Sequence, residues 1–219
     1  LTRNYNQTGG TLNCTATDPS IINFICVSKT YTQTGVVVTN TMINYAVNAA
    51  GAILTLNSGI TLYPSRTFNV TTGTLNMDVQ VIDGGGAFNV SSVATATLIS
   101  GSPQGLNSAA LSGNVQTPGG RTFRVLANYT FAGSSPQVTG DGVTAATTLT
   151  INNASGVAAS SAISAVNLNL GSGVFTTTTA NLLTITGIAV IGGTPSATAC
   201  VSGPVDRVIP ANRSTALTL

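Results

Sequence analysis

Any chemistry in this chain has to come from few residue types. It carries five acidic residues, all aspartate, seven basic residues and three cysteines, and it has no histidine. Lacking histidine, it lacks the commonest general base and metal ligand, and with it the usual Ser-His-Asp arrangement. Glycoside cleavage needs two carboxyl groups about 5–10 Å apart. Asp78 and Asp83 are the closest pair along the sequence. Their odd separation would turn them to opposite faces of a continuous strand. Asp83-Gly84-Gly85-Gly86 and Gly140-Asp141-Gly142 read as turns, in which Asp bonds to nearby backbone and Gly takes positive φ. The glycine run lacks the lysine and following helix of a phosphate loop. One aspartate per turn is also too few for calcium, which wants about six to eight oxygens. Arg121 and Arg124 read as solvated, with a grip on an acidic sugar as the alternative. The residue types therefore predict no catalytic residue, no cofactor and no metal site.

The cysteines point to a compartment rather than to catalysis. Cys14 and Cys26 flank the loop Thr17-Asp18-Pro19-Ser20, a spacing that fits a disulfide closing that loop in an extracellular protein. Two buried free thiols are the alternative. Cys200 is left over, either free or paired outside this sequence.

Something must position these residues, and composition narrows what it is. Charged residues make up 5% of the chain, against roughly 25% in an ordinary soluble protein. Hydrophobic residues reach 42%, enough to bury a core. Thr, Ser, Asn and Gly must then cover the surface. A net charge of +2 with no basic cluster argues against nucleic acid. No apolar run approaches the roughly 18–20 residues of a membrane helix.

From Gly51 to Ser100 short runs alternate apolar residues with Thr or Asn and stop at Gly, Asn or Ser. That period of two marks strands with one buried face. The runs also echo one another. Tyr5-Asn6-Gln7-Thr8-Gly9 returns as Tyr31-Thr32-Gln33-Thr34-Gly35, and Thr67-Phe68-Asn69-Val70 as Ala87-Phe88-Asn89-Val90. Thr122-Phe123-Arg124-Val125 has the same shape, and Tyr129-Thr130-Phe131 and Val174-Phe175-Thr176 read as its continuation. Repeats at such spacing mark stacked coils. An aromatic can then sit on its counterpart one coil away, and asparagines can form a ladder. A face-packed sandwich is the rival arrangement. Residues 99–118 read as a looped excursion. The expected architecture is all-β, a right-handed parallel β-helix (β-solenoid) over residues 1–195. Residues 196–219 are expected to begin a following segment or to form a terminal cap.

Laid out in this order, the coils resemble the repetitive β-rich regions of large secreted cell-surface proteins of Bacteroidota. The similar stretches are Gln116–Phe123 (QTPGGRTF), Ala127–Gly140 (ANYTFAGSSPQVTG), Leu149–Val157 (LTINNASGV), Leu168–Phe175 (LNLGSGVF) and Asn181–Gly187 (NLLTITG), then the tail Ser202–Ala211. The resemblance implies type IX secretion and a role as adhesin, gliding or surface-layer component. It carries no catalytic residue. The function expected is a non-catalytic extracellular structural or adhesive module, a filament or stalk building block at the cell surface. A carbohydrate-binding or carbohydrate-active β-helix is the alternative. Its expected partners are copies of itself end to end or neighbouring domains of a longer chain, with surface glycans as a further class; neither nucleic acid nor membrane insertion is expected.

Overall fold

Strands form where apolar residues alternate with Thr, Asn or Gly, because pleating turns successive side chains to opposite faces. The computed structural model describes residues 1–9, 20–35, 42–186 and 191–208. In the strand Thr67–Asp78, Phe68, Val70, Leu75 and Met77 are fully buried, whereas Asn69, Thr74 and Asn76 lie on the other side. Every pairing between strands is parallel, and no helix occurs among the described residues.

Three walls result. On the first, Ser20–Phe24 lies against the start of Ile43–Leu56, followed by the start of Thr67–Asp78, then Ala87–Val90 and Arg121–Thr122. The second runs from Tyr5–Gln7 through Lys29–Gln33 and the far halves of the two long strands. It continues through Ala96–Ser100, Asn128–Phe131, Ala145–Asn152 and Ile163–Ser172. The third pairs Ile60–Leu62 with Ile82–Gly84 and, further along, stacks Gln137–Val138, Val157–Ala158, Phe175–Thr176 and Val201–Ser202. The two long strands serve both the first and the second wall, and their register shifts between Asn48 and Ile53. Gly51 and Gly73 sit at that corner with φ of +76° and +93°. A Cβ on Gly73 would come within 2.7 Å of Ala49 O and 2.8 Å of Ala52 O, so no other residue fits there unstrained. The winding is a β-solenoid of about eight turns.

Pairing continues across the boundary expected at residue 195. Val201–Ser202 stacks on Phe175–Thr176, and Val205–Arg207 on Leu183–Ile185.

The echoes in the sequence are neighbours in the stack. Tyr5 pairs with Tyr31 and Gln7 with Gln33; Phe68 pairs with Phe88 and Asn69 with Asn89. Inside the coil the rings form a file. Tyr5 and Tyr31 stack 4.8 Å apart, Tyr31 meets Tyr45 edge-on, and Tyr45, Phe68, Phe88 and Phe123 follow at 5.8–6.0 Å. Outside, Asn89 Nδ2 donates to Asn69 Oδ1 at 3.1 Å, one rung of the expected asparagine ladder.

Later members of the series depart from this. Phe123 touches Phe88 but does not pair with it; Arg121 stands opposite Phe88, and of the strand-like run Thr122–Val125 only Thr122 is in a strand, Arg121–Thr122. The Arg121 guanidinium donates to the carbonyls of Thr117, Ser108 and Ala109, which fixes the chain two residues out of the expected register. Tyr129 belongs to the second wall, between Leu98 and Leu149, and Phe175 to the third, between Val157 and Val201. Both are fully buried, but in other files.

Burial raises the phenol pKa of Tyr31 and Tyr129 well above the ordinary value and pushes Tyr45 up to about 12. A neutral phenol favoured by the fold stabilises it fully below the unfolded value of about 10. That stability is lost as pH climbs from there through the folded value. The chain should therefore unfold cooperatively in strong alkali, with phenolate absorbance and loss of β circular dichroism in one step. Tyr31, Tyr45 and Tyr129 ionising near pH 10 in a chain that stays folded would contradict this.

Candidate functional site

The residues singled out for chemistry are dispersed. Asp78 ends its strand at a bulge, with φ of +47° and its N–H donating to Asn76 Oδ1. Asp83 follows the buried Ile82 on the third wall and is half-buried; its Oδ1 is shielded from solvent and has no hydrogen-bond partner. The carboxylate of Asp141 accepts the N–H groups of Ser108 and Ala109 at 2.6 and 3.2 Å. Arg121 holds the carbonyls of those same two residues. The pair pins the tip of the 101–120 excursion to the coil, which explains both side chains without a ligand. Arg124 is exposed at the next corner, and Asp206 is exposed on the terminal strand Val205–Arg207. No three His, Cys, Asp or Glu side chains gather to hold a metal among the described residues. Cys26 and Cys200 are half-buried. Cys14 and Asp18 lie outside the described residues, and so does the expected Cys14–Cys26 bridge.

The interior holds one further polar group of interest, made by residues the sequence reading passed over. Ser100, Asn114, Gln137 and Asn153 are all buried where the excursion joins the coil. Asn114 Nδ2 donates to the carbonyls of Asp78 and Gln80, both at 2.7 Å, and its Oδ1 accepts from Ser100 Oγ. Gln137 Nε2 donates to Ser100 O, while its Oε1 accepts from Gly133 N and Asn153 Nδ2. Sealed and mutually satisfied, this cluster substitutes for strand pairing where the ladder is interrupted.

Outside, the second wall carries a feature of another kind. Its inward file is Leu54, Leu75, Leu98, Tyr129, Leu149 and Leu168, in register from coil to coil and buried throughout. Alternation places two outward ranks beside it. One is Ile53, Thr74, Thr97, Asn128, Thr148 and Asn167. The other is Thr30, Thr55, Asn76, Ile99, Thr130, Thr150 and Asn169. Neither rank contains a charged or aromatic residue, and all but Ile53 are half-buried, as neighbours in a close array must be. The register shifts in these strands fall outside the ranks, at Asn48/Ile53, Asn76/Asp78 and Ile151/Asn152. Repeats are set by backbone geometry, roughly 4.8 Å between coils and roughly 6.6 Å between the ranks.

Comparison of the sequence with protein-family models, with curated proteins and with solved structures finds no match. A sequence signal for the ranks exists in the triplets Thr74-Leu75-Asn76, Asn128-Tyr129-Thr130, Thr148-Leu149-Thr150 and Asn167-Leu168-Asn169. What hid it is coil length, which runs from 19 residues between Thr148 and Asn167 to 31 between Thr97 and Asn128.

Asn114 gives the sharpest test of the interior cluster. Asn114→Ala takes the side-chain donor from the carbonyl of Gln80 and the acceptor from the Ser100 hydroxyl, while the Asp78 carbonyl keeps the N–H of Gly101. It should destabilise the chain by about 1–3 kcal/mol in urea titration. A neutral Asn114→Ala would show that the cluster does not hold the excursion.

Proposed function

We propose that this chain is a non-catalytic, extracellular structural and adhesive module of a bacterial surface protein. In this reading it is a stalk or filament unit like the repetitive β-rich regions of secreted Bacteroidota proteins that its sequence resembles. The observation that supports it best is the unbroken axial register of the second wall. Each coil bonds to the next through parallel main-chain pairing, so stiffness along the axis comes from a sum of like interfaces. A surface of Thr and Asn keeps such a rod hydrated with few charges. The engagement of Asp141 and Arg121 in holding a loop supports the same reading. A parallel stack of this kind can be extended by pairing with another coil, from a neighbouring domain or a second copy.

Electron microscopy of the purified chain, together with a reducing-end and unsaturated-product assay on acidic and neutral polysaccharides, tests this. The expected result is rods or ordered end-to-end fibres and no product. Turnover that disappears on Asp83→Asn or Asp78→Asn would replace the proposal with a carbohydrate-active β-helix.

A further inference from the structure

We propose that the second wall is an ice-binding face, its two outward ranks presenting hydroxyl and methyl groups to the ordered water of a crystal surface. The argument begins with periodicity. Thirteen side chains in two ranks repeat at the coil spacing along the axis and at the two-residue spacing along the strand. Those repeats, roughly 4.8 and 6.6 Å, are on the scale at which hexagonal ice exposes rows of water molecules. A ligand matching both must itself be a lattice.

Rigidity is the second observation. Threonine is β-branched and stiff at χ1, so holding its hydroxyl and methyl at lattice points costs little entropy. Three of the four asparagines are tied down; Asn76 Oδ1 accepts the N–H of Asp78 at 3.1 Å. Asn128 Nδ2 donates to Ala94 O at 2.6 Å and to Thr97 Oγ1 at 3.4 Å, and Asn167 Nδ2 donates to Thr147 O at 3.4 Å. Side-chain ladders along such a wall oppose the twist of its sheet.

Chemistry then chooses among lattices. A charge orders water around itself in a shell that ice cannot share, and neither rank contains one. Sugar-binding faces present aromatic rings to stack on, whereas Tyr31, Tyr129 and Phe131 of this wall are fully buried on its inner side and the half-buried Tyr5 is stacked on Tyr31, outside both ranks. Methyl groups flanked by hydroxyls order nearby water and bond to it at once. Ile53 and Ile99 interrupt the hydroxyls without changing the outline of the ranks. The inference does not depend on the surface-module reading, since the wall is complete within a single chain.

The test uses the whole chain in ice recrystallisation and single-crystal growth assays. Wild-type protein should shape growing crystals and suppress recrystallisation. Thr150→Tyr or Thr130→Lys, each pointing outward from the middle of the array, should abolish both effects. Thr176→Tyr, exposed on the third wall, should retain them. Circular dichroism and melting temperature identify folded variants, and either array variant alone suffices. Crystals left unshaped by the wild type would overturn the proposal, as would equal loss in Thr176→Tyr. It also falls if the array variants instead abolish co-sedimentation with insoluble cellulose or chitin, or dissolve a dimer seen by sedimentation. The wall would then be a glycan or self-association surface.

Discussion

Parallel pairing of each coil with the next is the constraint from which the rest follows. A single coil of this chain cannot bury its apolar residues, nor can it satisfy its own backbone. Both needs are met only by a neighbour in register. Register in turn places residue on like residue, so the interior becomes files of leucine, tyrosine and phenylalanine, and the exterior becomes ladders of asparagine and threonine. A slip of one residue along any strand would send every buried side chain outward. Gly51 and Gly73 allow the chain to turn a corner without losing that alignment.

Such a scaffold restricts what its surface can do. Enzymes usually gather unlike groups from separate elements into a cleft. Here unlike groups are spread along the axis, and like groups are brought together. The titratable residues illustrate this. Asp141 and Arg121 meet only through the loop they share, and Asp78 and Asp83 occupy different walls. What the scaffold concentrates instead is repetition: two parallel ranks of small uncharged side chains at fixed spacing. Load-bearing and lattice binding are both uses of repetition, and neither needs a reactive group.

Much of this architecture was legible in the residues. The near-identity of Thr67–Val70 and Ala87–Val90 announced a pair of stacked coils, and the Tyr5 and Tyr31 segments announced another. The run Tyr129-Thr130-Phe131 reads as strand and lies within the strand Asn128–Phe131. Other features were not legible, for physical reasons. On the third wall Val157–Ala158 and Val201–Ser202 are two-residue strands, too short to show any period. Phe123 looked like the next ring opposite Phe88, but its register is decided by carbonyls that Arg121 reaches across a loop. The polar core around Asn114 depends on an excursion returning to the coil 14 residues after Ser100, a closure with no local signature. The ranks themselves needed the register, because coils of unequal length conceal a spatial repeat that is nearly constant.

In-register stacking can be tested directly by cross-linking across one rung. With the three native cysteines changed to serine, Asn69→Cys and Asn89→Cys would face each other on adjacent parallel strands. Their Cα atoms would sit roughly 5 Å apart, within disulfide range. Mild oxidation should join them within one chain, seen by mass spectrometry of peptides, with the melting temperature preserved or raised. Two thiols that remain free and fully reactive in the folded protein would contradict the stacked arrangement on which every functional argument here is built.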